Sequence, residues 1–234
     1  MGQLAASEWV ALISGFGGAV LGAVVGGAIS WLLARQAAHE SRRRDGEQRN
    51  AAEKAAAVRT TLKVQQITNG TFTVAQVIRK GVTDAQAQGL ELWQVLRPHV
   101  GSKADVKINA EDLAPFLDPS GNPFVDSITL AALRYEVLET TLIDYSARRA
   151  KLGDLLAPYT VLDMETGAGT TEVPQDQQAL VKTRVFELKD LLQQLRDFAE
   201  DDLKANLALC DHVTSYGAAK YGFFPKLQLP SAEQ

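Results

Sequence analysis

The sequence predicts an all-α protein in which one N-terminal transmembrane helix precedes a cytoplasmic helical bundle. Residues 9–34 form an apolar run without a charged side chain. Two later segments repeat apolar residues at alternating steps of four and three, the spacing of long packed helices. Composition agrees, because 46% hydrophobic residues and a net charge of −4 in 234 residues describe a folded chain.

The apolar run gives the clearest signal in the chain. As a helix it would reach about 39 Å, enough to cross a hydrocarbon core of about 30 Å. Because arginines follow the run and none precedes it, the positive-inside rule predicts a single-pass protein of the inner cell membrane with residues 1–8 outside. The residues expected at the membrane interface, beside the lipids, are Trp9, Trp31, Arg35, Arg42, Arg43 and Arg44.

Small residues form a ribbon along one side of this predicted span. Its two columns repeat every four residues: Ser14, Gly18, Gly22, Gly26 and Ser30, and beside them Gly15, Ala19, Ala23 and Gly27. Helices in lipid associate by close backbone contact, which small side chains permit, so this glycine-zipper pattern predicts helix association. The predicted partner is a second copy of the chain or another membrane protein. The competing interpretation is that membrane helices simply tolerate small residues.

A basic juxtamembrane helix is predicted over residues 35–68. It is rich in alanine and charged residues, and Gly46 and Asn69–Gly70 are its expected weak points. Its arginines could bind anionic lipid headgroups, but neighbouring acidic residues reduce the local positive charge. The arginines are therefore interpreted as a signal that sets the membrane topology.

The remaining residues, 69–234, are predicted to form the helical bundle, built on two long antiparallel helices. The first covers Phe124–Leu156 and the second Gln175–Leu209, and residues 158–174 allow the chain to reverse between them. The first apolar seam contains Leu138, Leu142, Tyr145, Leu152 and Leu156, with Arg149 as an interruption. The second contains Val181, Val185, Leu188, Leu192, Leu195 and Ala199.

Shorter helices are expected before the long pair. Their predicted ranges are Thr71–Arg79, Asp84–Leu96 and Ala110–Leu117. Asn109 is expected to cap the last of these, with Asp112 at its third position. Thr160–Met164 and Thr170–Val173 are short strand-like segments that would form one small β-hairpin.

The sequence contains no catalytic motif and predicts neither a cofactor nor a metal site. Cys210 and His212 lie close together, but a zinc site needs about four ligands, so we expect a buried structural cysteine beside a surface histidine. The chain after the basic segment is acidic, which argues against nucleic acid as a partner.

Four aromatic residues follow the second long helix or end it: Tyr216, Tyr221, Phe223 and Phe224. Aromatic clusters of this kind anchor partners, and they also fold back onto their own domain. We expect the second arrangement and keep the first as the alternative.

The function predicted from these features is that of a non-catalytic scaffold or adaptor, which oligomerises in the membrane and displays a helical domain to an unknown cytoplasmic protein. The alternative is a membrane-perturbing effector, whose glycine-rich helices assemble in the bilayer under control of the soluble domain. A membrane-tethered enzyme is a third hypothesis, which requires a polar pocket with convergent ionisable groups.

Overall fold

A computed structural model describes residues 6–98, 106–120, 122–162, 169–222 and 225, with side chains from residue 24 onward except that of residue 162. The described residues are mostly helical, at 85%, and include one small antiparallel strand pair. The helices are α1 (Ala6–Gln88), α2 (Leu92–Val95), α3 (Ala110–Leu113), α4 (Asn122–Leu156) and α5 (Gln178–Tyr221), and the strands are β1 (Thr160–Leu162) and β2 (Gly169–Thr171). Single 3₁₀ turns cover Ala114–Phe116 and Ala157–Tyr159.

The chain divides into two compact units, Met1–Ala52 and Glu53–Gln234. Within the first unit the described residues all belong to α1, and their side chains from residue 24 to residue 52 are exposed. The second unit contains the rest of α1 together with all later elements.

Helices α4 and α5 run antiparallel in the second unit, as the sequence predicts. Arg134 of α4 pairs with Asp202 of α5, whereas Arg148, further along α4, pairs with the earlier residue Glu187. The observed bounds of α4 extend the predicted ones by two residues at the start. Helix α5 begins slightly later than predicted and continues to Tyr221.

The third long helix of the second unit is α1, which the sequence analysis divided into pieces. Its residues from Glu53 onward pack along α5 in the opposite direction, since Thr68 lies beside Cys210 and the later residue Arg79 pairs with Glu200. The predicted break at Asn69–Gly70 is wrong, and Gly46 does not interrupt the helix either. The predicted Thr71–Arg79 helix is part of α1.

The reason for Gly70 is close packing. A Cβ atom at this position would overlap the phenol ring of Tyr135 from α4, so glycine allows the ring to lie against the α1 backbone. The prediction treated the residue as a helix breaker because a sequence pattern does not distinguish these two uses of glycine.

The core consists of two clusters of buried apolar residues, both made mainly by α1, α4 and α5, with Leu96 added to one and Phe116 to the other. The packing of the predicted seams is confirmed. Leu138, Leu142, Tyr145 and Leu152 of α4 are buried, as are Leu188, Leu192, Leu195 and Ala199 of α5, and the remaining members, Leu156, Val181 and Val185, are partly buried against them. Arg149 interrupts the first seam for a reason: its Nε donates a hydrogen bond to the Trp93 carbonyl at 2.9 Å, and its guanidinium lies over the Trp93 ring.

The short connecting elements agree with the sequence in part. Helix α3 begins at the predicted cap, where the Asn109 N–H donates to Asp112 Oδ2 at 2.8 Å. The predicted Asp84–Leu96 helix is wrong in its middle, because α1 ends at Gln88, Gly89 takes a φ of 64°, and α2 is a single turn. The predicted hairpin is present, with Thr160 opposite Thr171 and Leu162 opposite Gly169.

The predicted membrane span, residues 9–34, has described side chains only from residue 24 onward. Among the residues that the structure describes, no helix combines the length and the apolar character needed to cross a membrane. The side chains of residues 9–23, which form the first part of the predicted span, lie outside the described residues.

Candidate functional site

An open groove lies between α4 and α5 of the second unit. Its main pocket has a volume of about 430 Å³. Most of its lining residues are apolar, and the polar ones include an arginine and an aspartate. The residues that line it are Pro123, Phe124, Ser127, Leu130, Ala131 and Arg134 of α4 and Asp202, Ala205, Asn206, Ala208, Leu209 and His212 of α5.

A second pocket of about 190 Å³ continues this groove along the same two helices. It shares Arg134 and Asp202 with the first pocket and adds Leu133, Val137 and Phe198. These added side chains are large and apolar, yet 57%, 54% and 39% of their surfaces are exposed. Adjoining apolar side chains that are exposed on a folded domain make this groove the candidate site for a ligand or a partner.

An ion pair lies at the centre of the groove. Arg134 Nε and Asp202 Oδ1 are 2.5 Å apart, and their side chains are 43% and 5% exposed respectively. Burial raises the pKa of the Asp202 carboxyl, although Arg134 acts in the opposite direction. Asp202 Oδ1 is buried and accepts no hydrogen bond of normal geometry from the described residues, so charge attraction to Arg134 is what compensates its burial.

A polar layer lies beneath the groove, where α5 meets α1. Asn206 Nδ2 donates to Thr71 Oγ1 at 3.3 Å, and Cys210 Sγ lies 3.2 Å from Thr68 Oγ1. Both threonine hydroxyls also donate to the carbonyl oxygen four residues earlier in α1, which allows them to be buried at little cost. This layer fixes the α5 face that carries Asp202 relative to α1.

Cys210 and His212 occupy the environments that the sequence predicts. Cys210 is buried and His212 is exposed. Burial raises the pKa of the Cys210 thiol, with Thr68 opposing the change, so the thiol is protonated at neutral pH. A protonated and buried thiol is a poor nucleophile.

Two of the four aromatic residues predicted near the end of α5 lie against the second unit itself. The Tyr216 ring is 5.3 Å from Phe116 and 5.6 Å from Phe124, and its hydroxyl donates to Asp118 Oδ2 at 2.7 Å. Tyr221 Oη donates to a Glu53 oxygen at 3.2 Å. Phe223 and Phe224 lie outside the described residues.

The predicted helix-association ribbon is described only at its end. A Cβ at Gly26 or Gly27 would meet no other atom of the chain within 4 Å, and Ser30 is exposed. The other predicted members lie outside the described side chains: Ser14, Gly15, Gly18, Ala19, Gly22 and Ala23.

The predicted interface residues lie along exposed α1 where their side chains are described. Arg35 lies over the Trp31 ring at 5.4 Å. Arg43 pairs with Glu47 and Arg44 with Glu40, each one helical turn apart. Arg42 is exposed as well, and the side chain of Trp9 lies outside the described residues.

Sequence reasoning did not find the groove, although one signal was present. Leu130, Leu133 and Val137 repeat at steps of three and four on the α4 face that the buried seam does not use. A second apolar stripe on one helix indicates a second contact surface. Its partners on α5, Asp202 and Phe198, follow only from the packing of the two helices.

Comparison of the chain with protein-family models, with curated proteins and with solved structures finds no significant match. The function of the second unit is therefore inferred from the chemistry of the residues that line the groove. An apolar trough with one ion pair at its centre suits the binding of an amphipathic partner.

Proposed function

We propose that this protein is a non-catalytic scaffold or adaptor, anchored in the inner membrane by residues 9–34 and binding another protein through the α4–α5 groove. The observation that carries the proposal is the exposure of Leu130, Leu133 and Val137 beside a buried core. Burying apolar surface stabilises an interface by about 25 cal/mol per Å², so a groove of this composition favours association.

The second half of the predicted span supports the anchor. Large apolar side chains at positions 24, 25, 29, 32 and 33 are each more than half exposed. Exposing such an apolar run to water is unfavourable, and lipid or another helix would remove its surface from water. The glycines at positions 26 and 27 leave the α1 backbone open to an approaching helix.

Anchoring gives the scaffold its mechanism. With residues 1–8 outside, the second unit is placed in the cytoplasm and held near the bilayer. Association of the membrane helices would then collect several grooves in one place. Tethered groups of this kind reach effective concentrations of roughly millimolar without any new contact.

Alkaline carbonate extraction tests the anchor. The full chain should stay in the membrane pellet, whereas Val24→Arg together with Val25→Arg should release it, because an arginine at the centre of a span costs about 2.5 to 3.5 kcal/mol. A matched variant, Val24→Leu with Val25→Leu, should stay in the pellet. Recovery of the unsubstituted chain in the soluble fraction would contradict the proposal.

Expression level distinguishes the scaffold from the membrane-perturbing alternative. A scaffold should be tolerated when overexpressed, with the membrane potential unchanged in a dye assay. An effector whose helices assemble in the bilayer should arrest growth and dissipate the potential.

A further inference from the structure

We infer that the α4–α5 groove binds an amphipathic helix of a partner protein, whose apolar stripe is flanked by lysine or arginine. The inference rests on the proposed function and names the chemistry of the partner. Three features of the groove carry it: the spacing of its apolar residues, the sign of its charges and the state of its central carboxylate.

The spacing of the exposed apolar residues matches a helix. Leu130, Leu133 and Val137 lie on one face of α4 and span about 10 Å along its axis, or two helical turns. Phe198 of α5 faces the same pocket as Leu133 and Val137. A trough between two helices that is apolar over two turns accommodates a third helix, with its residues at three- and four-residue steps.

The charges around the groove favour a basic partner. Asp126 lies one turn before Leu130 on α4, and Asp201 lies next to Asp202 on α5; neither forms an ion pair with any residue that the structure describes. Among the described residues, Arg134 is the one lysine or arginine that lines either pocket, and it is already paired with Asp202.

The central carboxylate is held by an ion pair that is poorly aligned as a hydrogen bond. The side chain of Asp202 is 5% exposed, and its Oδ1 contacts Arg134 Nε without accepting a hydrogen bond of normal geometry from the described residues. A buried acceptor without an aligned donor is costly, and an N–H group from a bound lysine or arginine would remove that cost. Arg134 is 43% exposed and is therefore able to turn towards solvent when a partner cation arrives.

Two synthetic helical peptides test the inference. Both carry leucines at steps of three and four, and one has lysines and the other glutamates at the flanking positions. Binding to the full chain in detergent is measured by fluorescence anisotropy. We expect the lysine peptide to bind at least about ten-fold more tightly, with the preference decreasing at high salt.

Substitutions in the groove locate the binding site. Leu133→Glu should weaken binding of the lysine peptide by about ten-fold or more, and Asp202→Asn should reduce the preference for lysine over glutamate. The matched control is Phe186→Glu, since Phe186 is also an exposed apolar residue of α5, at 72%, but does not line the groove. This control should bind the peptide as the unsubstituted chain does.

Two results would overturn the inference: equal binding of the glutamate peptide, or binding that Leu133→Glu leaves unchanged. A change of oligomeric state caused by Leu133→Glu would also overturn it, because the groove would then hold a second copy of this chain. A photo-crosslinking residue at position 133 separates this inference from the proposed function. If this residue captures a protein in cells although neither peptide binds, the proposed function stands and the basic amphipathic helix is the wrong partner chemistry. If there is neither capture nor peptide binding, the groove is not a binding site.

Discussion

Two glycines of α1 show how the environment of a single residue decides its role. Gly70 lies under the ring of Tyr135, whereas a Cβ atom at Gly46 would have no described neighbour within 4 Å. Both have the same low helix propensity, about 1 kcal/mol below alanine. Packing alone therefore separates a glycine that the fold requires from one that it tolerates.

Alanine substitution at these two positions should have opposite effects. Gly70→Ala should lower the free energy of unfolding by about 1 to 3 kcal/mol, because the displaced Tyr135 ring outweighs the gain in helix propensity. Gly46→Ala should leave stability unchanged or raise it by up to about 1 kcal/mol. Urea unfolding followed by circular dichroism measures both, and equal effects would refute the packing argument.

The carboxyl of Asp202 should make stability depend on pH. Because burial raises its folded-state pKa, the folded state binds its proton more tightly than the unfolded state. The resulting stability is fully present below the ordinary aspartate pKa and is lost as the pH rises through the folded-state value. Asp202→Asn removes this loss, so the variant should gain stability relative to the unsubstituted protein as the pH rises from about 4 to 7.

The control for this experiment is Asp154→Asn, which removes the same charge from an exposed position of α4. Its stability should follow that of the unsubstituted protein between the two pH values in urea titrations. A parallel pH profile for Asp202→Asn would show that the carboxylate is not disfavoured by burial.

At the scale of elements, a charged cluster fixes the end of α5. Lys220 Nζ lies 2.7 Å from carboxylate oxygens of Glu53 and Asp118 and donates to the Pro115 carbonyl at 2.9 Å. Burial alone would lower the pKa of Lys220, but its hydrogen bonds with the Asp118, Glu53 and Tyr216 side chains raise it, so the ammonium is fully charged at neutral pH. One side chain thus joins α5, α1 and the 3₁₀ turn that begins at Ala114.

Removing that side chain should loosen all three elements together. Lys220→Met should lower the free energy of unfolding by about 1 to 3 kcal/mol, because charge-assisted hydrogen bonds contribute more than neutral ones. Lys204→Met, at an exposed position of the same helix, should change it by less than about 0.5 kcal/mol. Hydrogen exchange at residues 114–118 should quicken in the first variant only, and unaltered exchange there would contradict the role of Lys220.

At the scale of the whole molecule, the two units differ in whether they have a core. The described side chains of the first unit include exposed valine, leucine and isoleucine between positions 24 and 33, whereas the second unit has two core clusters and, outside them, the exposed apolar residues of the groove. The proposed function assigns the first unit to membrane association and the second to binding a protein. Each assignment can fail without the other.

Self-association through the small-residue ribbon is the prediction for the whole molecule. Gly22→Leu with Gly26→Leu should abolish association in a membrane-oligomerisation reporter, because two bulky side chains prevent close backbone approach. Val20→Leu with Val24→Leu alters the bulky face instead and should leave the signal intact. Persistent association of the glycine variant would assign oligomerisation to another part of the chain.

The sequence by itself determined the elements that depend on short-range patterns. The α4 and α5 seams, the Asn109 cap and the hairpin all follow from the spacing of apolar residues and from turn chemistry, which act within a few residues. The helical class of the chain followed for the same reason.

Only the tertiary structure decided the features that join distant parts of the chain. The need for glycine at position 70 comes from Tyr135, the ion pair of the groove joins Arg134 to Asp202, and the Lys220 cluster includes Glu53. In each case the two residues are far apart in sequence, and the energy of their contact exists only after the helices have packed. The local spacing of residues does not depend on the energy of such contacts. The groove is therefore visible in the packed structure and was not predicted from periodicity.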